Sequence, residues 1–288
     1  MRIAIASGKG GTGKTTVATN LAWLAARNGR SVAYLDCDVE EPNGHLFLAP
    51  RIAASRPAGR LHPVVDESKC IHCGLCGEIC RFSAIVCVGE KVLVYPELCH
   101  CCGGCVLVCR PGAITEAMRE TGKIEEGAAG PVRFVHGVLN VGEAMSAPLI
   151  REVKAAAPPV DLVMIDSPPG VACPAIESVR GADFVVLVTE PTPFGLNDLK
   201  LAVEMVRALK LPFGVAVNRA GSGETETHDY CRRQGIEILA ELADDRRVAE
   251  AYSRGAVACE AVAGFSAALE QLLARLYARC PVALEDSR

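Results

Sequence analysis

The chain has 288 residues, 50% hydrophobic and 22% charged, with a formal net charge of −4 at pH 7. That is the composition of a globular protein with an ample core, built as one large α/β domain or two smaller ones. The acidic balance leaves no basic field to recruit nucleic acid or an anionic membrane, and no apolar run approaches the roughly 20 residues of a membrane span.

Arg2 to Ala6 reads as a short apolar strand that enters a glycine-rich loop rather than a signal-peptide cleavage site, so a cytoplasmic location is expected. The loop is Gly8-Lys9-Gly10-Gly11-Thr12-Gly13-Lys14-Thr15-Thr16, and Val17 to Arg27 reads as a helix with Gly29 as C-cap. This satisfies the G-x-x-x-x-G-K-[ST] template. Loop amides and the helix N-terminus cradle phosphates, Lys14 reaches the β/γ oxygens and the Thr15 hydroxyl ligates magnesium. A merely structural glycine turn would not need this placement between strand and helix. Ser31 to Asp38 then reads as a strand ending in Asp36-x-Asp38.

Ten of the fifteen cysteines fall between Cys70 and Cys109. Disulfides are disfavoured in a reducing compartment, so metal ligation is the better reading. Cys70-x2-Cys73-x2-Cys76-x3-Cys80 recurs as Cys99-x2-Cys102-x2-Cys105-x3-Cys109 at an offset of 29, and Gly74 and Ala84-Ile85 recur as Gly103 and Ala113-Ile114. This is an internal duplication. Three thiolates on one tight loop suit three corners of a cubane, with the fourth beginning a helix that points toward the other centre. Cys-x2-Cys pairs also build zinc sites, but those use separated pairs rather than two identical quartets.

The quartets resemble a bacterial dicluster ferredoxin, with Arg81 and Arg110 where that family has proline after the fourth cysteine. In that pattern the fourth cysteine ligates the opposite centre. The resemblance therefore implies one [4Fe–4S] cluster on Cys70, Cys73, Cys76 and Cys109, and another on Cys99, Cys102, Cys105 and Cys80. Cys87 and Cys101 fall outside the pattern, and His72 and His100 read as cluster-loop neighbours.

Residues 50–60 and the polar, Gly-rich 120–131 read as linkers flanking this segment. Val132 to Val138 reads as a strand and Glu143 to Lys154 as a helix. Val163-Met164-Ile165-Asp166-Ser167-Pro168-Pro169-Gly170 is a buried strand ending in an aspartate. Thereafter strand and helix alternate: Phe184–Thr189, Leu196–Leu209, Phe213–Asn218, Thr225–Gln234, Ile236–Leu239, Arg246–Ser253 and Phe265–Ala278. That alternation predicts an α/β fold with a mostly parallel sheet and helices on both faces. In the last helix Phe265, Leu269, Leu272, Leu273 and Leu276 make a core-facing stripe. Its polar face, with Glu270, Arg275 and Arg279, lacks the basic character an anionic membrane selects.

Lys9 ahead of Lys14 makes the loop resemble the deviant Walker A loop of the MinD/ParA/Mrp and nitrogenase-iron-protein ATPases, in which the early lysine reaches a dimer partner's nucleotide. Asp36-Cys37-Asp38-Val39-Glu40-Glu41-Pro42-Asn43, Gly142-Glu143-Ala144-Met145 and Glu190-Pro191-Thr192-Pro193-Phe194-Gly195-Leu196 extend the likeness. The whole chain resembles MinD-superfamily P-loop ATPases with an inserted ferredoxin domain: ATPase residues 1–59, ferredoxin residues 60–119 and ATPase residues 120–288. The resemblance implies that Asp166 holds the magnesium shell through water, Asp38 positions the attacking water, Asp36 supports the metal shell and Asn218, beside Arg219, faces adenine. The absence of a guanine-reading N-K-x-D motif favours ATP. Cys173, seven residues after Asp166, sits at the offset of a cluster ligand in the nitrogenase iron protein, so the resemblance implies that a dimer presents two Cys173 thiols near its axis as ligands of a labile cluster or metal; the plainer reading is a small buried side chain under the switch loop.

Three functions follow from the resemblance. The first couples Mg-ATP-dependent dimer closure to metal–sulfur cluster assembly or transfer. The second is ATP-gated electron transfer, and the third a spatial-organisation ATPase with structural or sensing clusters. The implied partners are a second copy of the chain, a related ATPase paralogue or a small metal-cluster-binding client, with no nucleic acid and no stable membrane association.

Overall fold

The protein is described by a computed structural model covering residues 1–221 and 225–280; positions 222–224 and 281–288 of the third expected segment lie outside the described residues. In chain order the elements are β1 (Arg2–Ala6), α1 (Lys14–Arg27), β2 (Val32–Asp36), α2 (Gly44–Leu48), β3 (Arg51–Val65), α3 (Leu75–Ile79), β4 (Ile85–Val88), β5 (Lys91–Val94), α4 (Gly104–Val108), β6 (Ile114–Ala129), β7 (Val132–Leu139) and α5 (Ala147–Ala155). They continue with β8 (Leu162–Asp166), α6 (Cys173–Val179), β9 (Phe184–Thr189), α7 (Pro193–Ala208), β10 (Phe213–Ala220), α8 (Glu226–Arg233), β11 (Ile238–Ala243), α9 (Arg246–Ser253), α10 (Ala258–Ala261) and α11 (Ala263–Arg279).

Two compact units result. One comprises Met1–Ser55, Ile124–Val138 and Ile150–Arg288, the other Arg56–Lys123 with Leu139–Leu149. The second unit thus reclaims residues 139–149, which the sequence reading assigned to the third segment. Long-range polar contacts explain this: the Asn140 amide donates to the Thr121 carbonyl at 2.9 Å, and Glu143 pairs with both Arg60 and Arg119.

The sheet runs in the order β11-β10-β9-β1-β8-β2-β7-β6-β3. From β11 to β7 every neighbour is parallel. Strands β2, β8 and β9 are buried along their whole length, as parallel strands covered on both faces must be. Alternation divides their side chains. Ile3, Ile5, Tyr34, Met164 and Val186 pack into one core with α1 and α11, while α6 and α7 lie against β1, β8 and β9. The stripe Phe265, Leu269, Leu272, Leu273 and Leu276 is buried in that first core, which bears out the core-facing reading of α11. Among the described residues no helix is long and apolar enough to cross a membrane.

The linker readings of 50–60 and 120–131 are overturned, since those residues lie largely within β3 and β6, strands of 15 and 16 residues. Residues 51–57 of β3 are all exposed, so no apolar alternation marks the strand, and Pro57 is tolerated because β3 closes the edge of the sheet. The helix expected from Glu143 begins only at Ala147, and the strand expected at Ile236–Leu239 shifts to Ile238–Ala243.

Candidate functional site

In the first unit, β1 delivers the glycine loop to the C-terminal edge of the sheet, the edge where parallel α/β proteins hold ligands. Gly13 has φ 91° as it caps α1. A Cβ there would strike the Asn218 side chain, and one at Gly8 would strike the Asp198 main chain. Both positions therefore require glycine. Asn218 Nδ2 donates to the Thr12 carbonyl at 2.9 Å, which braces the loop from β10. The Ser167 amide donates to the Ile5 carbonyl and the Gly170 amide to the Ser7 carbonyl, so the segment after β8 is tied to the loop as well.

These elements enclose a cleft of about 830 Å³ lined by Gly10, Gly11, Gly13, Lys14, Thr15, Thr16, Asp38, Asn218 and Arg219. Most of the residues singled out from the loop motif thus meet on one surface. Lys14 is buried, and that burial lowers its pKa against the pull of Asp166 and Asp38. Burial, followed by repulsion from Asp166, raises Asp38 to about 6 while Lys14 opposes the rise.

Asp36 and Asp166 pair across β2 and β8 and lie fully buried beneath the cleft. Asp36 gives one oxygen to the Asp38 amide at 3.1 Å and the other to the Gly44 amide at 2.8 Å. Its carboxylate thereby fixes the 38–44 turn. Burial and then Asp166 push its pKa well up. Asp166 Oδ2 accepts from the Tyr34 hydroxyl at 2.8 Å, whereas its Oδ1 is buried with no hydrogen-bond partner among the described residues.

Lys9 leaves the cleft and lies 4.0 Å from Asp198, and Arg219 pairs with Glu190 at 2.7 Å. Cys173 is the first residue of α6 and is exposed, so the buried-packing reading of that thiol is wrong. The cleft also has a wall that motif reading missed: Phe47, Asp244, Asp245, Arg246 and Tyr252. The Phe47 and Tyr252 rings lie 5.0 Å apart, and Asp245 caps α9 through the Arg247 amide at 2.9 Å. Their signal was positional, since Phe47 follows β2 and the other four follow β11 at the same carboxyl edge.

In the second unit the cysteine repeat is conformational as well as sequential. Gly74 and Gly103 are left-handed at φ 79° and 68°, and His72 and Cys101 at φ 53° and 54°. Two cavities open there. One is lined by Cys70, Cys73, Cys76 and Cys109, the other by Cys80, Cys99, Cys102 and Cys105. Cys80 and Cys109 are the C-caps of the five-residue helices α3 and α4, which corrects the expectation that the fourth cysteine begins a helix. Against the cost of burial, the amides of Phe82, Ala84, Ile85 and Ser83 hold the Cys80 thiol below its ordinary value. The Cys101 amide donates to Cys99 Sγ at 3.4 Å. His100 stacks on Phe82 with centroids 3.6 Å apart.

Residues 3–258 match the CobQ/CobB/MinD/ParA nucleotide binding domain. The chain is 30% identical over 264 residues to an uncharacterized protein of Methanocaldococcus jannaschii, covering 88% of this chain and 90% of that one. It is 24% identical over 272 residues to an iron-sulfur cluster carrier protein of the same organism, covering 88% and 76%. Among solved structures it is similar to the septum site-determining protein MinD complexed with Mg-ADP from Pyrococcus horikoshii, at TM-score 0.60 and 21% identity over 96% of this chain and 95% of that one.

Proposed function

The chain belongs to the CobQ/CobB/MinD/ParA nucleotide-binding family, and from that premise we propose that it is an Mg-ATP-hydrolysing iron–sulfur protein. In this reading ATP-dependent closure of a homodimer serves metal–sulfur cluster assembly or transfer. The observation that carries it is the presence, in one chain, of a phosphate-loop cleft and two cavities each framed by a crossed cysteine quartet.

At the cleft, Lys14 and the loop amides bind the phosphates and Asp38 holds the attacking water in line. Lys9 is free to exchange Asp198 for a partner's nucleotide. Thr15 and the unpartnered Asp166 Oδ1 fit a hard divalent cation. Magnesium there, when bound, neutralises charge on the β- and γ-phosphate oxygens. Asn218 and Arg219, with the Phe47–Tyr252 wall, face the rest of the nucleotide.

In the second unit the donor set at each cavity is four thiols, with apolar neighbours Val65 and Ile114 at one and Pro63 and Ile85 at the other. That chemistry fits a [4Fe–4S] cluster on each quartet. Two identical quartets, rather than two separated Cys-x2-Cys pairs, favour a polynuclear occupant over zinc. The clusters, when bound, supply one-electron chemistry. Two complete quartets also support the second reading, ATP-gated electron transfer, because ligand-saturated clusters stay resident. The buried stripe of α11 counts against the spatial-organisation reading.

The test is iron and acid-labile sulfide analysis of anaerobically purified protein, with EPR of the dithionite-reduced sample without nucleotide, with Mg-ADP and with Mg-ATP. About eight irons and two interacting reduced clusters per chain are expected. Their absence would overturn the ferredoxin assignment. A line shape that ignores Mg-ATP would overturn the coupling of ATPase and clusters.

A further inference from the structure

The two cysteine repeats match in spacing and backbone conformation, yet their surroundings differ in charge. Arg60, on β3, is only 7% exposed, and its guanidinium Nη1 donates to the carbonyl of Cys99 at 3.2 Å. Nη2 lies 3.8 Å from Glu143, whose side chain is 5% exposed. Glu143 also accepts from Arg119 Nη1 at 3.1 Å. Two guanidinium groups thus face one carboxylate, leaving this triad one positive charge. Arg60 Nε is buried with no hydrogen-bond partner among the described residues, so the charge of that guanidinium is incompletely satisfied.

Among the described residues, the lining of the cavity framed by Cys70, Cys73, Cys76 and Cys109 includes no Asp, Glu, Lys or Arg. The cavity framed by Cys80, Cys99, Cys102 and Cys105 does include Glu116, which is exposed. Water and salt screen an exposed carboxylate far more strongly than a buried guanidinium.

Resting on the iron–sulfur reading above, we propose that Arg60 is a positioning residue that makes the two cluster sites unequal. It makes the site of Cys80, Cys99, Cys102 and Cys105 the easier of the two to reduce. Reduction adds one electron and one negative charge to a site, with no bond made or broken, and a low-potential one-electron donor supplies the electron. A nearby buried cation stabilises the product more than the reactant, since Coulomb energy scales with the charge present. An electron entering the second unit therefore settles at the Cys99 site. This gives the duplicated module a direction.

The experiment is a potentiometric EPR titration of the full-length, anaerobically purified protein, with the Cys99-site signal identified by Cys102→Ser. The wild type is expected to show two separate midpoint potentials. Arg60→Gln should make reduction at the Cys99 site about tenfold less favourable, which is about 59 mV for one electron. Glu143→Gln, which removes the anion, should move the same signal in the opposite direction, and Arg60→Lys should restore the split. The other centre should stay fixed in every variant. Equal potentials in the wild type would overturn the proposal, as would shifts of the same sign in Arg60→Gln and Glu143→Gln, the mark of a merely structural role. Wild-type protein lacking iron and sulfide would instead overturn the iron–sulfur reading itself, a failure the metal analysis reveals before any titration.

Discussion

Asp38→Asn should stabilise the nucleotide-free protein while abolishing hydrolysis. Burial and Asp166 hold the Asp38 carboxyl at about 6 in the folded chain, against an ordinary value of 3.8. The folded state therefore keeps a proton that the unfolded state releases, and wild-type stability falls as pH rises through the window from about 4 to 6. A shift of about two units amounts to about 3 kcal/mol at 1.36 kcal/mol each. Partial exposure of the side chain cuts this to about 1–2 kcal/mol. Asparagine keeps the shape without the charge, so the variant should match wild type near pH 4 and exceed it by that amount above pH 7. The assay is thermal unfolding of both proteins without nucleotide from pH 4.5 to 7.5, where each kcal/mol moves Tm by roughly 2–4 °C. Parallel curves, or a variant less stable at pH 7.5, would refute the reasoning.

Gly13→Ala should lose nucleotide binding outright, because the new Cβ meets Asn218 at a φ of 91°; calorimetry with Mg-ADP measures the loss, and retained affinity would show that the loop is not held as described. Tyr34→Phe removes the hydroxyl that donates to Asp166 at 2.8 Å. Leaving that buried oxygen unpaired should cost about 1–3 kcal/mol in urea unfolding, and a Mg²⁺ titration should recover part of it if Asp166 faces the cation.

What the sequence made legible was chemistry carried by short spacing. The loop from Gly8 to Thr16 and the two cysteine quartets are local patterns, and the structure gives each a matching local shape, down to left-handed glycines at Gly74 and Gly103. What stayed hidden depended on partners far along the chain. Strand β3 exists because its backbone pairs at the sheet edge, not because its side chains are buried, so an exposed run around Pro57 read as a linker. The return of residues 139–149 to the second unit rests on Glu143 meeting an arginine 83 positions earlier. Asp36 reads as part of the metal shell from Asp36-x-Asp38, and only the folded turn shows that its two oxygens also accept from the Asp38 and Gly44 amides.

The positions whose partners stayed hidden share a physical cause. A buried charge is costly, so it persists only where the fold supplies a partner or a function supplies one later. At Asp36 the fold supplies two amides and at Glu143 two arginines, partners that are invisible in sequence. At Asp166 and Lys14 the fold leaves the account open: one carboxylate oxygen has no partner among the described residues and the lysine is held below its ordinary pKa. A phosphate chain with its cation closes both at once. The cleft is therefore destabilised when empty, and binding should raise Tm by more in the wild type than in Asp38→Asn, whose cleft carries less repulsion to relieve. Equal Mg-ADP-induced shifts in the two proteins at pH 7.5, measured at saturating nucleotide, would remove that link between the strain of the empty site and its function.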